Sequence, residues 1–252
     1  MRAPAAAFIG RIPVPILAGP NQGRLWTLAS AGRGYVSGRF EAGRLASILR
    51  VLDRGLRFWD IGAHKGYVTL AAARRVGAQG AVLAFEPSRE NLVYLRRHLR
   101  WNRAINVDVL PVAVGGERAT ASFGGTGSSI AYRLGGGGET VEVRTMAGLV
   151  DEGRPAPDVV KIDVEGAEAE VLRGAGALLR RIPVLFVAVH DREKHDACRA
   201  VLEDAGFQLA ASALLRTYLA GEPWREDPEL VAYRGDLLSR REAEGLPVVN
   251  PR

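Results

Sequence analysis

Residues 58–70 read FWDIGAHKGYVTL, and this stretch decides the fold. An apolar run from Leu56 to Ile61 meets a glycine turn and then a helical pattern beginning near Gly66. Asp60, Gly62, Ala63 and Gly66 give the turn the form D-x-G-x-x-x-G of a nucleotide-binding loop. Glycine lacks Cβ, so the backbone there can take positive φ or approach a ligand closely. The first N–H groups of the following helix point at the same place and favour a carboxylate or phosphate. Asp60, at the carboxyl end of the strand, is positioned to take a ligand's ammonium or to order the loop. A dinucleotide fingerprint would have glycine where this chain has His64. A ligand-free tight connection remains the alternative at this point.

The next strand, Ala81 to Phe85, ends in Glu86-Pro87. Glu86 lies about 20 residues past the loop, where α/β nucleotide-binding folds place a carboxylate on a ribose diol. Ser88 is the better cap for the helix that follows, which leaves Glu86 for a ligand.

Three segments, DIGAHKGYVTL, AFEPSRENLVYLRRHLRWN and VVKIDVEGAEAEVLRGA, resemble the FkbM family of S-adenosylmethionine-dependent methyltransferases in order and spacing. The resemblance runs from about Tyr35 to Gly206, with YVSGRFE as its lead-in. It implies a class I methyltransferase fold, bound S-adenosylmethionine, and O-methylation of a small molecule or a sugar. It places the adenine beside Ala113 and Val114. The cofactor-binding set expected from residues and resemblance together is Asp60, Gly62, Ala63, Gly66, Glu86, Pro87, Ala113, Val114 and Asp163.

The 252 residues suit one α/β domain with an N-terminal extension. The expected divisions are 1–54, an extension or cap; 55–235, the cofactor-binding domain; and 236–252, a tail. A hydrophobic content of 47% is enough for a sizeable core. No apolar run approaches the ~20 residues that span a bilayer, and Gly10, Arg11 and prolines interrupt the N-terminus in a way that argues against a signal peptide. The single cysteine, Cys198, excludes an internal disulfide and fits a reducing cytoplasm. Net charge is +6, carried mostly by arginine; Lys65, Lys161 and Lys194 are the only lysines. Arginine in place of lysine, with abundant Ala and Gly, reads as compositional bias and is weak support for a nucleic-acid partner.

Strand and helix then alternate as a doubly wound, mostly parallel sheet requires. Expected strands are 56–61, 81–85, 107–114, 159–164, 184–189, 207–211 and 230–233. Expected helices are 43–52, 66–75, 88–101, 167–179 and 194–205. The first of these helices either covers the open end of the cofactor site or packs on the sheet. Residues 119–123 and 140–144 read as an antiparallel pair around the glycine-dense loop 124–138, whose Ser128 and Ser129 resemble a small serine motif of the family and favour a flap over substrate. The N-terminal strands at 12–17 and 24–29 offer an edge for a homodimer. Arg89, Arg96, Arg97, Arg100 and Arg103 read as a solvated helix face.

Doubly wound sheets bind ligands at the carboxyl ends of their strands. Asp60, Glu86, Asp163, Glu165 and His190 all fall at such ends. An alcohol acceptor has to lose a proton, and His190 is the first candidate base because its ordinary pKa suits neutral pH; Asp163 and Glu165 are the others. The same carboxylates admit a divalent cation, magnesium rather than zinc, as an alternative. Three competing readings stand beside the O-methyltransferase: a nucleic-acid methyltransferase, a non-catalytic cofactor-binding scaffold and an NAD-dependent oxidoreductase. The first lacks the Asn/Asp-Pro-Pro-aromatic signature at the end of the fourth strand, and the last lacks the dinucleotide glycine spacing.

Overall fold

A computed structural model of the chain describes residues 12–30, 32–124, 133–134, 138–211 and 229–234. Its centre is a seven-stranded sheet. The strands are β3 (Arg57–Ile61), β4 (Ala81–Phe85), β5 (Val107–Leu110), β10 (Val159–Ile162), β11 (Val184–Ala188), β12 (Gln208–Ala211) and β13 (Glu229–Tyr233). Their order is β5-β4-β3-β10-β11-β13-β12. The first five are parallel, whereas β13 runs antiparallel to both β11 and β12. The direction of strand addition reverses between β3 and β10, which is where such sheets open a ligand crevice.

The helices used below are α1 (Arg33–Val36), α2 (Ala42–Val51), α3 (Tyr67–Val76), α4 (Arg89–Trp101), α5 (Met146–Asp151), α6 (Glu168–Gly174) and α7 (Arg192–Asp204). One core layer joins α2, α3 and α4 to Phe58, Val82, Val184 and Phe186. The other joins α5, α6 and α7 to Trp59, Ile61, Leu185 and Val187. Alternate residues of β3 and β11 therefore serve opposite faces, and β11 is buried throughout because helices cover both sides.

A second sheet has the order β6-β9-β7-β8, from β6 (Ala113–Val114), β7 (Ala119–Gly124), β8 (Arg133–Leu134) and β9 (Glu139–Arg144). The antiparallel pairing of β7 with β9 agrees with the sequence. The single strand expected over 107–114 is instead two, in different sheets. Pro111 stands at the break and has no N–H for a ladder. The helix expected over 167–179 likewise stops at Gly174, and a 3-10 segment, Gly176–Arg181, follows from Gly176 at φ 51°.

The N-terminal hairpin, β1 (Pro13–Pro15) with β2 (Leu25–Thr27), packs on α4. Trp26 is fully buried, stacked on His98 at 3.7 Å between ring centres and edge-on to Tyr67 at 5.5 Å. His98 Nε2 accepts from the Thr27 N–H at 3.1 Å, so its Nδ1 carries the proton and donates to the Lys65 carbonyl at 2.8 Å. Burial pushes this imidazole down to about 4, which keeps it neutral and the tautomer fixed. The hairpin thus holds the glycine turn through one histidine. Residues 1–11 and 235–252 and the serines at 128 and 129 of the expected flap lie outside the described residues. Among the described residues no helix is long and apolar enough to cross a membrane.

Candidate active site

Asp60 and Lys161 are register partners on β3 and β10. Asp60 is fully buried; its Oδ2 accepts from Thr69 Oγ1 at 2.6 Å, and its Oδ1 lies 3.2 Å from Lys161 Nζ. That second contact is an ion pair without hydrogen-bond alignment; Lys161 donates instead to the Gly62 carbonyl, 2.6 Å away. Burial would lower the lysine's pKa, but Asp60 and Asp163 together overcome it and hold the ammonium above its ordinary range.

The turn follows from these anchors. Gly62 takes φ 78°, and a Cβ there would overlap the Asp163 carbonyl oxygen. Gly62 and Ala63 both donate backbone N–H to the Phe85 carbonyl, at 3.1 and 2.9 Å. Gly66 caps α3 at φ 89°, where a Cβ would stand 2.5 Å from Leu95 Cδ1. Both glycines therefore let the loop fit against protein as well as turn.

Glu86 is not left free by its neighbour, contrary to the sequence reading. Ser88 does cap α4 by accepting from the Asn91 N–H at 3.3 Å. Glu86 nevertheless accepts from the Ser88 N–H at 2.8 Å, Asn91 Nδ2 at 3.3 Å and the His64 N–H at 2.7 Å. Burial pushes its carboxyl up to about 7 against these donors. Each carboxylate oxygen has two lone pairs, so capacity for a further donor remains. Pro87 is half-buried between Glu86 and Ser88. Ala113 and Val114 are buried beyond the end of β5, in the second sheet.

Asp163 follows β10 and is the centre of the remaining charges. Arg44, from α2, reaches its Oδ2 at 2.9 Å, and Lys161 stands 3.8 Å away. Burial opposes ionisation, but Lys161 and Arg44 hold the carboxyl below its ordinary value. Arg44 also faces Glu41 at 3.2 Å and Glu229 at 3.4 Å. Glu229 opens β13, and burial pushes it up to about 8. Helix α2 packs on the core, as one of the two sequence alternatives had it, and it also brings Arg44 to Asp163.

His190 follows β11. Its Nε2 lies 3.1 Å from Glu168 Oε1 and 3.8 Å from Asp163 Oδ1. Glu168 is fully buried, and the same Oε1 accepts from the Val164 and Gly166 N–H groups at 3.2 and 2.9 Å. Those bonds fix the loop after β10, where Glu165 takes the left-handed φ of 56° and Gly166 takes 109°. Glu165 is half-buried. The structure thus gathers Asp60, Gly62, Asp163 and His190 at one edge, with Ala63, Gly66 and Glu86 one turn of the loop away. It adds Arg44, Lys161, Glu168 and Glu229, which the sequence reading did not single out. Lys161 carried a signal: one of only three lysines, it interrupts the apolar run VVKI, where an unpaired charge is not tolerated.

The FkbM methyltransferase domain profile matches residues 60–209. The chain belongs to the FkbM methyltransferase family. A curated relative, the hexuronic acid methyltransferase AglP of Haloferax volcanii, is 30% identical over 139 residues, which is 52% of this chain and 55% of the relative. The chain therefore spans about half the length of that protein. Among solved structures, methyltransferase FkbM from Methylobacillus flagellatus KT has a TM-score of 0.53 at 18% identity, covering 81% of this chain and 56% of that one. Precorrin-6y C5,15-methyltransferase from Geobacter metallireducens GS-15 has 0.50 at 17%, covering 81% and 94%. Fibrillarin from Aeropyrum pernix, with natively bound S-adenosyl-L-methionine, has 0.50 at 15%, covering 75% and 74%. At these identities the structures establish the class I fold.

The residues of this chain fit S-adenosylmethionine, the cofactor that membership of this family implies. Two carboxylates stand at neighbouring strand ends, a positive-φ glycine turn leads to a helix N-terminus, and His64 Nε2 is buried in the turn without a hydrogen-bond partner among the described residues. The edge suits a divalent cation less well. Asp60 and Asp163 already face ammonium and guanidinium groups, and among the described residues no group of three or more His, Cys, Asp or Glu is arranged to hold a metal.

Proposed function

We propose that this methyltransferase transfers the methyl group to a hydroxyl of a sugar, with a hexuronic acid as the first acceptor class. The observation that carries the reading is the His190–Glu168 pair at the carboxyl edge. Glu168 is buried and accepts the Nε2 proton of His190 at 3.1 Å, so the lone pair of the imidazole lies on Nδ1. An imidazole fixed in that tautomer is a general base for an alcohol, worth about a hundred- to ten-thousand-fold in rate. Asp163 is a poorer base, because Arg44 and Lys161 hold it ionised with weak proton affinity. Glu165, on its left-handed turn beside Asp163, completes the acceptor wall. The relative AglP is a hexuronic acid methyltransferase, which supports the acceptor class.

S-adenosylmethionine, when bound, supplies a methyl group already activated on a sulfonium. The chain's part is to position and desolvate. Asp60, Gly62, Ala63, Gly66, Glu86, Pro87, Ala113, Val114 and Asp163 form the proposed binding set. In it Glu86 accepts from the ribose hydroxyls, and Asp163 with Asp60 faces the amino-acid ammonium. His190 takes the acceptor proton on Nδ1, and Glu168 stabilises the imidazolium.

The test is methyl transfer, read as S-adenosylhomocysteine release, against glucuronate and galacturonate glycosides, their neutral hexose counterparts and RNA. The expected result is an O-methylated uronate glycoside, with turnover reduced at least a hundredfold in His190→Gln. Methylation confined to RNA, or full turnover in His190→Gln, sinks the proposal.

A further inference from the structure

The amino edge of the sheet, opposite the glycine turn, carries a second concave surface. A groove of about 300 Å³ opens there, lined by Pro20, Leu49, Arg54, Ala71, Arg74 and Arg75. Ala71, Arg74 and Arg75 share one face of α3 through their i, i+3 and i+4 spacing. Arg54 belongs to the turn between α2 and β3, and Pro20 to the turn between β1 and β2.

The three arginines are held differently. Arg75 is fixed, donating Nε to the Leu52 carbonyl at 2.7 Å and Nη2 to Asp53 at 3.2 Å. Among the described residues Arg74 reaches only the Gln22 carbonyl, at 3.5 Å. Among the described residues Arg54 has no ion pair or hydrogen-bond partner. A fourth guanidinium, Arg24, lies close enough for the charge of Arg74, added to burial, to push its pKa down. Basic residues at helix C-termini offset the macrodipole, and that accounts for part of the cluster. It does not account for all of it. Arg24 itself donates to the Asn102 carbonyl at the end of α4, at 3.0 Å, but the three guanidiniums that line the groove stand against one carboxylate, Asp53, and two helix C-termini of about half a negative charge each, which leaves about one positive charge over.

We propose that this groove binds the phosphate dianion of a small phosphorylated molecule. The planar forks of Arg54 and Arg74 match phosphate oxygens two at a time. Arg75, anchored by Leu52 and Asp53, supplies a fixed charge at the wall. Pro20, Leu49 and Ala71 give the body of the ligand an apolar surface. Arg74 stands eight residues along α3 from Gly66, about 12 Å, so the arginine end of the groove and the glycine turn lie toward opposite ends of the helix. The two sites are therefore distinct, and the proposal does not rest on the acceptor reading above.

The experiment is thermal unfolding of the full chain at constant ionic strength, titrated with sodium phosphate, glucose 6-phosphate or sodium chloride. Saturable stabilisation by both phosphates, with a lower midpoint for glucose 6-phosphate, is the expected result. Arg54→Ala and Arg74→Ala raise both midpoints at least tenfold, while S-adenosylhomocysteine titrates as in the parent. Arg54 is exposed and makes no described contact that folding needs, so that variant keeps the test informative. A phosphate response equal to chloride, or one that survives in the Arg54→Ala/Arg74→Ala double variant, overturns the site. Equal midpoints for phosphate and glucose 6-phosphate overturn the small-molecule assignment.

Discussion

Lys161 and Asp60 face each other from adjacent strands, ammonium to carboxylate at 3.2 Å, with both side chains shut off from solvent. Neither charge has water to fall back on. Removing one partner of a buried pair leaves the other uncompensated, at a cost of about 3–5 kcal/mol. Lys161→Met is therefore expected to destabilise the fold by that amount, measured by urea unfolding. It also frees the Gly62 carbonyl, so cofactor affinity falls with it. A stability within about 1 kcal/mol of the parent would mean that water reaches the pair.

Gly62→Ala is a second severe change. The added methyl meets the Asp163 carbonyl oxygen at a backbone φ of 78°, which L side chains rarely adopt. Steric overlap and backbone strain act together, and the loss is expected on the order of 4 kcal/mol. Gly153, also at positive φ but with open space around it, is the control. Gly153→Ala should cost only the backbone strain, roughly 1 kcal/mol. Thermal unfolding of the two variants separates overlap from strain.

The third expectation concerns pH. Glu86 and Glu229 are pushed up to about 7 and about 8, from an ordinary 4.5, with burial the leading cause for both. The folded state therefore holds protons that the unfolded chain has released. Stability from these groups is complete below pH 4.5 and is lost as pH rises through 7 and 8. The parent should lose a few kcal/mol, as an order of magnitude, between pH 5 and 9. Glu229→Gln removes its share and flattens the upper part of that fall. A Glu229→Gln profile that matches the parent's between pH 7 and 9 contradicts the buried position of this carboxyl.

The fourth separates binding from turnover. His190→Gln and Glu168→Gln both disturb the proposed base, but only the second also loosens the loop after β10. His190→Gln is expected to lower kcat by about a hundred- to ten-thousand-fold and to leave S-adenosylhomocysteine affinity unchanged. Glu86→Ala is expected to do the reverse, weakening that affinity by roughly 1–3 kcal/mol. Titration calorimetry beside steady-state kinetics distinguishes them.

The sheet was legible because each parallel strand is a short apolar run closed by a turn residue, and each run feeds a helix with a 3.6-residue period. Asp60, Asp163 and His190 were legible for the same reason: they end such runs. What the sequence did not reveal is mostly long-range. Arg44 and Asp163 are 119 residues apart, and nothing local to RLASILR marks Arg44 as an edge residue. Glu168 stands in the first turn of α6, where local sequence marks only a carboxylate suited to the helix dipole. Its work is to fix two backbone N–H groups and a histidine from the next strand. The misread strand at 107–114 shows the limit of apolar pattern alone, since a proline inside the run outweighed the hydrophobicity on either side.

The antiparallel strand β13 lies between β11 and β12, although it is the last of the three to leave the ribosome. Until residue 233 has emerged, β12 has no strand among the described residues to pair with, and β11 lacks its described neighbour on that side. The same strand brings Glu229 to Arg44. An arginine made in the first fifth of the chain therefore waits, during synthesis, for a carboxylate made in the last tenth. Among the described strands, the one that completes this edge is the last to be made.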